Sequence, residues 1–178
     1  MVKGILKISL ISKRYIFKYP LKASFLVLLF FYSSFLKVES YAVASRHHLA
    51  TDIGMKILEN GGNAIDAAVA LSFALAVVNP SAGNLGGGGF MLIHLAEQNK
   101  TLSIDYRERA PIKSSEEMFQ DNSGKIIKGL SLNSILASGV PGTVSGMFYA
   151  SEKFGTIDIK DLINPSIELA RKGFVLSD

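Results

Sequence analysis

Arg107 is the residue whose type and placement best suit chemistry. It follows an apolar-rich stretch at 102–106 and opens the run Arg107-Glu108-Arg109-Ala110-Pro111. A guanidinium presents its N–H donors as a planar fork, which fits a carboxylate through two parallel hydrogen bonds. At a strand end beside backbone that carries no side chains, Arg107 could grip such a group. Spacing alone favours a plainer role, an ion pair with Glu108, Asp105 or a distant acid.

The side-chain-free backbone is the stretch Asn79-Pro80-Ser81-Ala82-Gly83-Asn84-Leu85-Gly86-Gly87-Gly88-Gly89, which runs straight into Phe90-Met91-Leu92-Ile93. Consecutive glycines let a backbone lie against a packed element or a ligand. The run leads into a strand, where a dinucleotide fingerprint would open a helix, and it lacks the Lys-Ser/Thr of a P-loop. It reads instead as a passage for close helix–strand packing. The histidines are His47, His48 and His94, and no acidic cluster completes a metal set with them. Cysteine is absent, which excludes disulfides, thiol catalysis and thiolate metal sites. No metal and no cofactor is expected.

The elements that must position Arg107 are legible in outline. Leu49, Ile53 and Ile57 form a helical stripe that Asn60-Gly61-Gly62 ends. Asn63 then suits the cap of a second helix, with Asp66 in its first turn. From 64 to 78 this helix is apolar on nearly every face and rich in alanine, so it should be buried and slim. Asn79-Pro80 stops it. Residues 90–95 read as a buried strand, 97–100 as a turn and 102–106 as the returning antiparallel strand. A turn is expected at Asp121-Asn122-Ser123-Gly124. A helix follows Gly139-Val140-Pro141-Gly142-Thr143 as far as Phe154, with Val144, Met147, Phe148 and Ala150 as its apolar side. A short helix at 157–163 and another from Pro165 to Lys172 close the pattern.

The 178 residues carry a formal net charge of +4, unevenly spread. Lys3, Lys7, Lys13, Arg14, Lys18, Lys22 and Lys37 face only Glu39 up to Ala42, leaving 12 basic and 14 acidic residues for the rest. The body has no basic surplus, which argues against nucleic acid as a partner. The basic start, the 14-residue uncharged run 23–36 and the small residues at Val38-x-Ser40 and Ser40-x-Ala42 follow the signal-peptide pattern. The run is short of the ~20 residues that span a bilayer comfortably. Residues 1–42 therefore read as a signal peptide, or else an uncleaved N-terminal anchor, and the body at 43–178 as exported to the periplasm or outside. Membrane contact is expected only through that segment.

Several of these motifs together resemble the γ-glutamyltransferase (γ-glutamyl transpeptidase) family in its bacterial branch. The resemblance runs through Leu49-Ala50-Thr51, Asn60-Gly61-Gly62-Asn63-Ala64-Ile65-Asp66-Ala67-Ala68-Val69-Ala70 and Ser81-Ala82-Gly83-Asn84-Leu85-Gly86-Gly87-Gly88-Gly89-Phe90-Met91. Asp105-Tyr106-Arg107-Glu108-Arg109-Ala110-Pro111 matches the family's Asp-Phe-Arg-Glu-x-Ala-Pro motif with Tyr106 for Phe, and Ser138-Gly139-Val140-Pro141-Gly142-Thr143-Val144 matches a further segment.

The resemblance implies an α+β chain, part of an N-terminal nucleophile hydrolase αββα sandwich that is incomplete here, with 43–178 as the N-terminal segment of the large subunit. It implies a self-cleaving proenzyme that cuts the γ-glutamyl amide of glutathione and transfers the group to water, an amino acid or a dipeptide. The matching arginine, Arg107, would bind the α-carboxylate of the γ-glutamyl group. Glutathione or another γ-glutamyl compound is then the expected ligand, and the glycine run becomes packing between the alanine helix and the first strand. The departure is the nucleophile, a threonine freed as the N-terminus of the small subunit, whose own amine helps activate it. Thr51, Thr101, Thr143 and Thr156 are the threonines here, and none is followed by the His, Ser or Thr of that motif. No catalytic residue is therefore assigned. The chain alone is expected to be inactive, with a separate small-subunit-like chain as a candidate partner and a non-catalytic exported remnant or weak γ-glutamyl binder as the alternative.

Overall fold

The computed structural model describes residues 41–82 and 84–176. The signal-peptide or anchor reading rests on residues outside these. Five helices and one hairpin are named in order: α1 His48–Glu59, α2 Ala64–Val78, β1 Phe90–Leu95, β2 Lys100–Asp105, the single turn α3 Leu130–Asn133, α4 Thr143–Phe154 and α5 Ile159–Lys172. Among the described residues no helix is long and apolar enough to cross a membrane.

α2 is the centre of the packing. The expected cap is a full reciprocal box: Asn63 Oδ1 accepts the Ile65 and Asp66 amides at 2.8 and 2.9 Å, and Asp66 Oδ2 accepts the Asn63 amide at 2.9 Å. Ala67, Ala70 and Ala74 are buried, and their small side chains let α1, α4 and α5 approach. Val69, Phe73, Met147 of α4 and Leu162 of α5 fill the resulting core, while Ala50 and Val78 join a second cluster under Leu169 and Phe174. Burial of a side chain such as Leu162 or Met147 contributes roughly 1.5–3 kcal/mol.

The hairpin pairs antiparallel from Phe90↔Asp105 to Leu95↔Lys100, turning through Asn99 at φ 47°. It departs from the buried strand expected at 90–95. Met91 and Ile104 lean on the core and Ile93 is buried, but Phe90 is 64% and Leu92 77% exposed. The pair alternates between a covered and an open face, and a short apolar run does not reveal by periodicity which side is covered.

Two helical expectations change as well. The apolar side of α4 is Met147 and Ala150 with Gly146, whereas Val144 and Phe148 are 40% and 46% exposed. The two helices expected around Pro165 are one continuous α5, capped by Asp158 Oδ1 accepting the Lys160 amide at 2.8 Å. Pro165 removes one intrahelical donor, yet Leu162 before it and Ser166 after it are both buried. Packing against α2 outweighs the missing bond.

Candidate functional site

Arg107 sits just past β2, in a socket made of glycine. The Tyr106 amide donates to Gly89 O at 3.0 Å, continuing the hairpin ladder by one residue. A Cβ on Gly88 would lie 2.6 Å from the Tyr106 carbonyl oxygen and 2.8 Å from Arg107 Cα. A Cβ on Gly142 or Gly146 would collide with the Tyr106 carbonyl and ring respectively. Gly87 O meanwhile accepts the Gly142 and Thr143 amides at 2.8 and 3.0 Å, tying the start of α4 to the same place. The nearest atoms to Gly88 and Gly89 thus belong to Tyr106, Arg107 and Glu108 and not to α2, which corrects the expected junction between helix and strand. The glycines serve the arginine segment directly.

The segment is also clamped beyond Arg107. Arg109 and Val140 exchange both backbone bonds, at 3.2 and 2.8 Å. The Arg107 amide donates to Asp105 Oδ1 at 3.0 Å. Its side chain is exposed, and the ion pairs among the described residues join Lys153 to Glu152, Arg171 to Glu168 and Lys172 to Glu168. The structural ion pair that spacing favoured for Arg107 does not form among them.

Arg107 lines a cleft of about 750 Å³ together with Tyr106, Arg109, Val140, Ser145 and Tyr149. That volume suits a small ligand. Burial pushes the Tyr106 phenol above its ordinary value, and its hydroxyl donates to Phe90 O at 3.4 Å. A cleft lined by two guanidinium groups and two tyrosines can hold a carboxylate and the carbon chain attached to it.

The other candidates stand apart. His47 is buried, and its Nδ1 caps α1 by accepting the Leu49 amide at 3.3 Å; its ring stacks on His48. His94 pairs with Thr101 on the open hairpin. Among the described residues no group of histidine and acids is placed to hold a metal ion. Thr51 lies inside α1, Thr101 inside β2 and Thr143 at the first turn of α4, while the Thr156 hydroxyl donates to Asp66 Oδ2 at 2.7 Å. Sequence reasoning missed Arg109, Ser145 and Tyr149. Arg109 was within reach, as a second arginine two residues on in the same motif. Ser145 and Tyr149 reach the cleft only through the docking of α4, which no local pattern announces.

The chain is similar to known proteins over most of its length. The family model described as gamma-glutamyltranspeptidase matches residues 50–178. A glutathione hydrolase proenzyme of Pseudomonas sp. (strain A14) is 55% identical over 138 residues, covering 78% of this chain and 24% of the relative. That of Escherichia coli (strain K12) is 51% identical over 136 residues, covering 76% and 23%. The crystal structure of Helicobacter pylori gamma-glutamyltranspeptidase superposes with a TM-score of 0.73 at 51% identity, covering 78% of this chain and 39% of that one. The chain spans about a quarter of the length of these curated relatives. With the motifs, the helix–hairpin architecture and these likenesses in accord, the chain belongs to the γ-glutamyltranspeptidase family.

Proposed function

We propose that this chain supplies the carboxylate grip of a γ-glutamyltransferase, the enzyme that cleaves the γ-glutamyl amide of glutathione and passes the group to water, an amino acid or a dipeptide. The observation that carries the reading is Arg107, fixed by the glycine socket and unpaired among the described residues at the wall of a ligand-sized cleft. On this reading residues 43–178 form part of an αββα sandwich, and Arg107 holds the α-carboxylate of the γ-glutamyl group. The threonine nucleophile is then not among the threonines of these residues, and a small-subunit-like segment or chain would supply it. Support for that division comes from the threonines themselves: none carries the family's following residues, and the Thr156 hydroxyl is committed to Asp66. The basic and apolar leader supports export.

The test is release of p-nitroaniline from γ-glutamyl-p-nitroanilide. The chain by itself should release none, and release by it would overturn the division of labour. Co-expression with a downstream small-subunit-like protein should restore release. Arg107→Ala should then lower it by about 30-fold or more, the worth of roughly 2 kcal/mol in a charge-assisted pair. A second reading, a non-catalytic binder of γ-glutamyl compounds, draws on the same cleft, which can hold a carboxylate without a nucleophile. Calorimetry with glutamate, comparing Arg107→Ala, measures that binding.

A further inference from the structure

We propose that Arg109 is a second anion-binding residue in the same cleft, so that the site prefers γ-glutamyl peptides bearing a free carboxylate on the far side of the γ-amide. The inference rests on the reading that Arg107 holds the α-carboxylate. Arg107 and Arg109 are two residues apart, and both line the cleft. Glu108 between them turns away. A Cβ on Gly139 would lie 3.0 Å from Glu108 Cβ, so Glu108 faces Gly139, and the cleft wall includes Arg107 and Arg109 but not Glu108.

The direction of Arg109 is set by backbone, since both its N–H and its C=O are bonded to Val140. The acid in the cleft wall is Asp105, and it already accepts the Arg107 amide. Neither arginine is in an ion pair among the described residues. A single carboxylate on Arg107 would leave a second guanidinium facing the cleft without a counter-charge. A ligand with two carboxylates joined by a short peptide meets both, with its carbon chain along Val140 and Tyr149. Gly142 and Thr143 donate to Gly87 O, so these two amides are not free for a ligand.

Titration of the full chain with γ-glutamylglycine and γ-glutamyl methylamide isolates the second carboxylate, which only the first ligand carries. γ-Glutamylglycine should bind about two- to fivefold tighter, the scale of one exposed charge pair. Arg109→Gln should erase that preference, so that the two ligands bind alike, and Arg109→Lys should retain part of it. Arg107→Gln should weaken both ligands. Equal binding by the unaltered chain, no binding of either ligand included, overturns the proposal, as does Arg109→Gln weakening both ligands equally. Should Arg107→Gln change neither ligand while Arg109→Gln still erases the preference, the role given to Arg107 fails and that of Arg109 stands.

Discussion

At the scale of single residues, Tyr106 and the glycines around it decide where Arg107 points. The glycines are not equivalent. A Cβ on Gly146 would overlap the Tyr106 ring and one on Gly88 would press on the backbone of Tyr106 to Glu108, whereas one on Gly86 would meet nothing within 4 Å. Gly146→Ala should therefore cost about 1–3 kcal/mol by overpacking, and Gly86→Ala should stay within about 0.5 kcal/mol. Urea midpoints of the two variants check this. Burial raises the Tyr106 phenol, so the folded state favours the neutral hydroxyl. The stability this contributes is complete below the ordinary tyrosine value of 10.0 and is lost as pH rises through the higher folded value. Alkaline unfolding followed with and without Tyr106→Phe should show the substitution flattening that loss.

At the scale of elements, Asp66 joins parts of the chain far apart in sequence. It is fully buried at the start of α2, where it accepts the Asn63 amide as well as the Thr156 amide and hydroxyl from the link between α4 and α5. Asp66→Ala leaves these donors without a partner and should cost about 3 kcal/mol. Asp66→Asn, which keeps one acceptor oxygen, should cost less, and thermal unfolding separates the two. The expected turn at Asp121 forms, with Oδ1 accepting the Ser123 hydroxyl and the Ser123 and Lys125 amides at 2.6, 2.9 and 3.0 Å. The Ser123 hydroxyl first, then the amides of Lys125 and Ser123, hold its carboxyl below the ordinary 3.8. The turn is thus supported above that value and released as pH falls through the lower folded one. Protection of the Lys125 amide, taken relative to its intrinsic exchange rate, should fall there, and in Asp121→Ala it should be low at every pH.

At the scale of the whole molecule, the hairpin leaves Phe90 and Leu92 standing out on one face, with Ile112, Leu132, Ile135 and Val175 also exposed elsewhere. Open apolar area of this kind drives association. The chain without a partner should self-associate in sedimentation velocity, and Leu92→Lys should shift it toward monomer. A sharp, reversible, monomeric melt of the unaltered chain would contradict this.

What the sequence determined was whatever depends on neighbours along the chain. The cap at Asn63 and Asp66, the glycine end of α1, the hairpin of β1 and β2 and the turn at Asp121 each need only residues within a few positions, where hydrogen-bonding groups and allowed backbone angles leave few choices. The position of Arg107 at a strand end was legible for the same reason, and the motif around it pointed to the family. The tertiary structure decided what depends on residues brought from far away. It made α5 continuous across Pro165, because buried Leu162 and Ser166 flank the proline. It showed that the glycine run seats Tyr106 and Arg107 and not α2, because Gly142 and Gly146 arrive from some fifty residues downstream to complete the socket. It also set Arg109, Ser145 and Tyr149 beside Arg107, through the docking of α4 on the hairpin, an arrangement fixed by packing rather than by local preference.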